Sequence, residues 1–236
     1  KKSALERYNA RVNLNYEPSE KLKTGINVNT SYSKDDYTAH GFGINYFGGT
    51  VQAALNYDPT LSVRNEDGEY NKSPYISLDN PLAILNDENS YEDTYRTFGT
   101  VFGEYFFVPE FSFKLNLGGD VKNSTRDTYV GRETKFGRTN QGVATVTEGT
   151  QSNYLVEGTF HFDQTFGDHS VDATAGMTYQ KFVTDRGYMN AKNFPSDATG
   201  SNNLGLADPN FVEVNTTKFS NQLLSYIGRL NYSLMD

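Results

Sequence analysis

The 236-residue sequence predicts an all-β fold, in which about seven antiparallel strands form a segment of a large transmembrane β-barrel. Three observations support this prediction. Long stretches alternate apolar and polar residues with a period of two. The composition is polar overall but rich in aromatic rings, and the connections between stretches are short and long in turn. Together these features are typical of strands that face lipid on one side and water on the other.

The composition suits a barrel better than a soluble domain. Hydrophobic residues make up 36% of the chain and the mean hydropathy is -0.65, yet aromatic residues reach 14%, with 17 Tyr and 16 Phe. A water-filled barrel explains this combination, because only the lipid-facing half of each strand must be apolar. No uninterrupted apolar run approaches the roughly 18 residues of a membrane helix.

The charge and the cysteine content exclude two further classes. A net charge of -8 argues against nucleic acid as a partner, because phosphate backbones are bound by clustered Lys and Arg. The chain has no cysteine, which excludes a disulfide framework and a thiolate metal site.

The first hairpin, Arg7 to Lys34, shows the strand pattern most clearly. Each arm runs for ten residues or more, whereas globular strands are usually about five or six residues long and a tilted membrane strand needs about 9 to 11. The apolar face ends in rings that suit the lipid headgroup level, at Tyr8, Tyr16 and Tyr32. The apolar positions are Tyr8, Ala10, Val12, Leu14 and Tyr16 on one arm and Leu22, Thr24, Ile26, Val28, Thr30 and Tyr32 on the other.

The same layout returns in two further hairpins and a last strand. The sequence predicts strands over 95–108 and 111–122, over about 154–163 and 171–180, and over 224–234. Short turns join the strands of each hairpin, and long loops are expected over about 35–93, 123–152 and 184–220. Short turns at one end and long loops at the other are the plan of outer-membrane barrels, with the short turns periplasmic.

Seven strands cannot close a bacterial barrel by themselves. Such barrels have an even number of strands and leave no unpaired edge in lipid. We therefore expect the first and last strands to pair with strands that this sequence does not contain.

Several stretches resemble the barrel region of SusC/RagA-type TonB-linked outer-membrane transporters of the Bacteroidetes. The resemblance covers nearly the whole chain in the expected order. It rests on the first hairpin and on the short loop sequences AALNYDPT, NEDGEY and NPLAIL. It also rests on FGDHSVDATAGMTYQKF at Phe166 to Phe182 and on LLSYIGRLNYSLMD at Leu223 to Asp236.

The resemblance implies a function that composition alone does not. It implies that residues 1–236 are part of a TonB-dependent receptor barrel of about 22 strands, whose plug, TonB box and remaining strands are not in this sequence. Such a protein imports oligosaccharides or peptides across the bacterial outer membrane. Its partners would be TonB, a SusD-like surface lipoprotein, the glycan or peptide substrate and outer-membrane lipid. A passive porin-like channel and a secreted all-β glycan-binding or adhesin domain are the alternatives.

The sequence predicts no catalytic, cofactor or metal site, and hence no enzyme. The three histidines, His40, His161 and His169, lack the spacing of metal ligands. The stretch Asn65 to Glu69 has acidic residues but not the calcium-loop pattern, and favours a plain turn. Acidic pairs beside the first long loop, Asp35-Asp36 and Glu92-Asp93, could hold Ca²⁺ but are expected to be solvated.

Two other motifs are too incomplete to predict chemistry. The stretch Gly41 to Tyr46 lacks the third glycine of a dinucleotide fingerprint. No GxSxG motif is present, so hydrolysis has no support from the sequence.

Two sets of side chains remain as candidates for contact with substrate or partner. Aromatic residues in the predicted loops could stack on sugars or contact a lipoprotein, although packing of loop on loop is expected for most of them: Tyr37, Phe42, Tyr46, Phe47, Tyr57, Tyr70, Tyr75, Tyr129, Phe136, Phe194 and Phe211. Charged residues on the polar strand faces would line the lumen and influence what passes: Arg11, Lys23, Lys114, Glu104, Asp120, Glu157, Asp172 and Arg229.

Overall fold

A computed structural model describes residues 3–37, 49–74 and 78–235. Within these ranges the chain forms one seven-stranded antiparallel sheet, in which the strands lie side by side in chain order. This confirms the predicted all-β architecture. The strands are β1 (Ala4–Ser19), β2 (Leu22–Tyr37), β3 (Glu88–Val108), β4 (Phe111–Val130), β5 (Val143–Phe166), β6 (His169–Lys192) and β7 (Val212–Leu234).

The three short turns fall where the sequence predicts them. Residues 20–21 connect β1 to β2, residues 109–110 connect β3 to β4, and residues 167–168 connect β5 to β6. Gly167 has a φ of 61°, in the left-handed region that glycine adopts without steric cost. All three turns lie at one end of the sheet, because the strands between them alternate in direction.

The connections at the opposite end carry small helices. Between β2 and β3 lie α1 (Gly49–Asn56) and α2 (Pro81–Asp87); between β4 and β5 lies α3 (Lys135–Thr139). Asn80 caps α2, because its side chain accepts a hydrogen bond from the Leu82 amide at 3.0 Å and Pro81 occupies the first turn. Single 3-10 turns between β6 and β7 cover Gly200–Asn202, Leu204–Leu206 and Pro209–Phe211. No helix in the described part of the chain is long and apolar enough to cross a membrane.

The predicted boundaries of the long loops are wrong, because the strands continue much further. Strand β5 begins at Val143 instead of about Tyr154, and β7 begins at Val212 instead of Leu224. At 24 residues, β5 is about 80 Å long, far more than the ~9–11 residues that cross a bilayer. Outside the bilayer both faces of a strand meet water, so the alternation on which the prediction depended is absent there.

The register places the apolar residues of neighbouring strands side by side on one face. One row crosses the whole sheet through directly paired positions: Leu14, Ile26, Val101, Leu117, Val156, Tyr179 and Leu224. Most of these side chains are exposed, Leu14 by 60%. No second layer of the described chain packs on this row. An exposed apolar face of this extent is typical of a surface that contacts lipid.

The two outer strands have one partner each. Strand β1 pairs only with β2, and β7 pairs only with β6, among the described residues. Backbone groups along their free edges require hydrogen-bond partners if the sheet lies in a bilayer.

Candidate functional site

The apolar face, here called the outward face, is bounded by aromatic rings at both ends. Near the long loops Tyr32 stacks on Tyr8 and on Tyr95, with ring centroids 6.4 and 4.6 Å apart. Near the short turns a second cluster contains Tyr105, Phe107, Phe111, Phe113 and Phe160. Tyr95 and Tyr105 are ten residues apart, about 33 Å along the strand, or about 25 Å across a bilayer at a tilt near 40°. This height matches the apolar band of outer-membrane barrels.

The outer aromatic boundary moves along the strands from one side of the sheet to the other. Tyr95 marks it in β3 and Tyr154 marks it in β5. Tyr154 and Gly99 lie in the same row of the sheet, because both pair with Gly119. The boundary on β5 therefore lies four residues closer to the short turns than the boundary at Tyr95 on β3. A boundary that stays level in the membrane must shift in this way when the strands are tilted.

The opposite face, here called the lumen face, carries the predicted charged wall. All eight predicted residues lie on this face, as the pairing register requires. Lys23 and Lys114 flank Glu104 in one row, and Ser112 donates a hydrogen bond to the Glu104 carboxylate at 3.1 Å. The Lys114 ammonium lies 4.8 Å from the centre of the Phe102 ring, which covers Gly25 so closely that a Cβ there would lie 2.3 Å from the ring.

A concavity of about 580 Å³ lies on the lumen face of β3 to β7. Arg96 and Asp120 form a bidentate pair on its wall, with Nε–Oδ1 at 2.9 Å and Nη2–Oδ2 at 2.6 Å. Lys122, Arg186, Phe182 and Phe219 complete its charged and aromatic lining, together with Gln151, Asn153 and Thr184. Of these residues the sequence analysis singled out only Asp120. Arg96 and Lys122 lie in predicted strands without being singled out there, whereas Gln151, Thr184, Arg186 and Phe219 fall in stretches that the sequence analysis assigned to loops. A Phe on a water-facing position gives no strand signal.

The long connections form an ordered cap, here called the loop cap and comprising residues 78–87, 131–142 and 193–211. The Arg132 guanidinium pairs with Asp197 and donates hydrogen bonds to the backbone oxygens of Gln141 and Phe194. Asp197 also accepts from the Tyr129 hydroxyl at 2.7 Å. One arginine therefore joins the connection after β4 to the connection after β6.

The loop cap has a small core of its own. Phe194 is buried and packs edge to face on Tyr129, with Ala144, Ala191 and Ala207 around them. Tyr129, Ala144 and Ala191 are directly paired positions on the outward face. The connection after β6 therefore folds back over the outward face, beyond the apolar band.

A buried carboxylate, Asp79, and a half-buried one, Asp87, hold the first connection against the second. Asp87 accepts a hydrogen bond from the Thr134 amide at 2.8 Å, and Asp79 accepts one from the Lys135 amide at 2.9 Å. Burial raises the pKa of the Asp87 carboxyl above its ordinary value, because desolvation disfavours the charged form; the Thr134 hydrogen bonds oppose this shift. Gly137 lies so close to Gly131 that a Cβ would lie 1.7 Å from the Gly131 carbonyl oxygen.

The predicted loop aromatics divide into packed and exposed rings. Tyr57 donates to the Asn71 carbonyl and Arg64 lies 4.0 Å above the Tyr70 ring, so these two pack within the first connection. Tyr129 and Phe194 form the core of the loop cap, whereas Phe211 is 53% exposed. Tyr37 lies in β2 and donates to Glu92. Phe42, Tyr46, Phe47 and Tyr75 lie outside the described residues.

The other predicted candidates lie in turns and strands. Asn65 to Glu69 form a tight turn, closed by the Asn65 amide on the Glu69 carbonyl at 2.9 Å. Asp35 and Glu92 are directly paired residues of β2 and β3. They therefore lie within strands, not at the start and end of a loop. His40 and the stretch Gly41 to Tyr46 fall outside the described ranges. The predicted absence of a catalytic, cofactor or metal site stays a prediction.

The structure brings one histidine close to two carboxylates, which sequence spacing did not indicate. His161, Asp163 and Asp172 lie on the lumen face near the short turns, and one ligand atom from each lies within 4.8 Å of the others. His161 and Asp172 already bond to Thr174 and Asn231. His169 instead contacts Tyr232 at 2.6 Å.

Solved structures of known proteins share this fold. The RagAB peptide importer in its open-open state superposes with a TM-score of 0.77 at 16% identity, over 99% of this chain and 26% of that chain. A structure of the RagAB peptide transporter gives a TM-score of 0.78 with the same identity and coverage. No protein-family model matches the chain.

Relatives of known name match along the full sequence. TonB-dependent receptor P26 of Formosa agariphila is 30% identical over 100% of this chain, and TonB-dependent receptor SusC of Bacteroides thetaiotaomicron is 26% identical over 100%. The chain is similar along its whole length to TonB-dependent receptors, SusC among them. TonB-dependent receptor P3 of Formosa agariphila is 26% identical over 98% of the chain.

The similarity to TonB-dependent receptors indicates the location and the class of protein. SusC/RagA proteins lie in the outer membrane of Bacteroidetes, and this is the location of the chain. The relatives are named as receptors and importers, not as enzymes. The chain spans about a quarter of the length of the curated relatives it matches, 24% of receptor P26 and 25% of SusC.

Proposed function

We propose that residues 1–236 form seven strands of the wall of a larger, closed barrel that imports oligosaccharides or peptides through the outer membrane. The observation that carries this proposal is the division of one sheet into two faces. The outward face has an apolar band between two aromatic girdles, and the lumen face is charged and open to water. A soluble glycan-binding sheet would need to cover that apolar band, which the described chain leaves exposed.

Import in this proposal depends on TonB and on a surface lipoprotein of the SusD type. Support for both comes from the names of the relatives, which are TonB-dependent receptors, and of the fold neighbour, a RagAB importer. The loop cap offers an ordered surface at the end where a lipoprotein would bind.

The experiment that tests this function compares active and passive uptake. In a strain that carries the full-length protein, deletion of TonB should abolish growth on the substrate, as should deletion of the gene itself. A point mutant in which Leu115 is changed to Ile should behave as the unmodified protein. Growth that survives the loss of TonB but not the loss of the gene would show a passive channel instead.

A further inference from the structure

The lumen concavity between β3 and β7 has an excess of positive charge. Its wall contains three cationic side chains, Arg96, Lys122 and Arg186, and one carboxylate, Asp120. The Asp120 carboxylate already forms a bidentate ion pair with the Arg96 guanidinium. Within the described residues, neither Lys122 nor Arg186 has a carboxylate within 4.0 Å. Two positive charges are therefore left for a ligand, in a chain whose net charge is -8.

The same concavity presents two aromatic rings to water. Phe182 and Phe219 lie on the lumen face of β6 and β7 and are 40% and 46% exposed. The Arg186 guanidinium lies 6.0 Å from the centre of the Phe219 ring, so charge and ring are close enough to contact one ligand together. Nearly half of each ring stays exposed to water among the described residues, and a ligand that covers this part would add burial.

The remaining lining is made of neutral hydrogen-bonding groups. Gln151, Asn153 and Thr184 lie between the two cations and the two rings. Amide and hydroxyl groups can donate to and accept from hydroxyl groups of a ligand. A few polar groups around exposed rings are the usual composition of a small-ligand site.

The concavity lies at the outer side of the membrane. Tyr154 and Tyr179 mark the outer end of the apolar band on β5 and β6, and Gln151 and Phe182 lie three residues further towards the loops. Three residues correspond to about 10 Å along a strand. A molecule that enters from outside therefore meets this part of the wall before the membrane-spanning part.

We propose that this concavity is a substrate subsite for acidic oligosaccharides. A carboxylate or sulfate group lies between Lys122 and Arg186, a sugar ring stacks on Phe182 or Phe219, and Gln151 and Asn153 bond to sugar hydroxyls. A sugar ring combines an apolar face that can lie against Phe182 or Phe219 with hydroxyl groups at its rim that can bond to Gln151 and Asn153, so this lining favours a sugar over an acidic peptide. This inference rests on the proposed import function and names its substrate class.

The test measures binding to the purified full-length protein by calorimetry. The probes are oligogalacturonate and its neutral methyl ester of the same length. We expect the double variant K122Q/R186Q to bind oligogalacturonate about tenfold more weakly, since each exposed charge pair contributes up to ~1 kcal/mol. Its affinity for the methyl ester should not change, whereas F182L/F219L should weaken binding of both probes.

A matched control separates the subsite from general charge. Lys218 of β7 pairs with Asp185 of β6 at 3.1 Å, on the outward face. The variant K218Q should therefore leave the affinities for both probes unchanged. Equal affinity of the unmodified protein and K122Q/R186Q for oligogalacturonate would overturn the proposal. Tighter binding of an oligoglutamate peptide of the same charge, lost in the same variant, would overturn the assignment to sugars.

The two proposals can fail separately. If K122Q/R186Q keeps normal uptake and normal oligogalacturonate binding, the subsite is wrong while the importer stands. If binding depends on Lys122 and Arg186 but uptake does not require TonB, the subsite stands and the active importer is wrong.

Discussion

At the scale of single residues, neighbours in sequence lie on opposite faces of the sheet, so one meets lipid and the next meets water. Leu115 lies on the outward face in the middle of the apolar band, in direct register with Gly103 and Gly158. Asn116, the next residue, lies on the lumen face beside Phe102 and Glu157. A change of side chain at these two positions therefore has different consequences, although they are covalent neighbours.

Substitution by arginine should separate the two faces. L115R places a charge in lipid and should cost about 2 to 4 kcal/mol, with impaired assembly, whereas N116R should be tolerated because it meets water. The measurement is the amount of heat-resistant folded protein in isolated outer membranes, together with the free energy of unfolding in vesicles. Similar losses for both variants would mean that the faces are assigned wrongly.

At the scale of elements, the loop cap depends on a few long-range polar contacts. Arg132 lies in the connection after β4 and bonds to Asp197 and to the Phe194 carbonyl in the connection after β6. Arg138 lies in the same connection, but among the described residues its guanidinium donates only to the carbonyls of Arg132 and Glu133. The two arginines therefore differ in whether they join separate connections.

Removal of Arg132 should uncouple the two connections. In R132A, the Asp197 carboxylate loses its cation, and amide hydrogen exchange of residues 193–211 should rise at least tenfold, a local loss of about 1.4 kcal/mol. The matched control is R138A, which should affect exchange only within 131–142. Unchanged protection of residues 193–211 in R132A would show that the packing of Phe194, the Tyr129–Asp197 hydrogen bond and the backbone hydrogen bonds of Asn193 and Phe194 hold this connection without Arg132.

At the scale of the whole molecule, β1 and β7 each have one edge without a partner among the described residues, which supports the proposal that further strands complete the barrel. A barrel in lipid leaves no edge unpaired, because each unsatisfied backbone group in hydrocarbon costs several kcal/mol. The relatives are about four times as long as this chain, since it spans 24% and 23% of receptors P26 and P3. Strands beyond these seven would close the barrel.

The mass of the intact polypeptide tests this proposal. We expect mass spectrometry of the protein from its native membrane to give about 100 kDa or more, roughly four times the 26.4 kDa of this chain, since barrels of about 22 strands enclose a plug. A mass near that of the chain itself would show a sheet that folds in water, and the barrel would have to be abandoned.

The sequence by itself determined the class of fold, the number of strands and the two faces. Period-two alternation is a local signal that lipid imposes on each strand, so residues such as Val12 and Leu117 could be assigned to the outward face without coordinates. The aromatic ends of the strands and the three short turns follow from the same local physics. These predictions are confirmed by the register of the sheet.

Only the tertiary structure showed how far the strands extend beyond the bilayer, where both faces meet water, and which residues far apart in sequence contact each other. Strands beyond the bilayer have no alternation, so the polar stretch before Tyr154 was predicted as a loop although it belongs to β5. The Arg132–Asp197 pair and the concavity with Lys122, Arg186 and Phe219 join residues far apart in sequence. Only the hydrogen-bonded register of seven strands brings them together, because no local pattern records which residues become neighbours across a sheet.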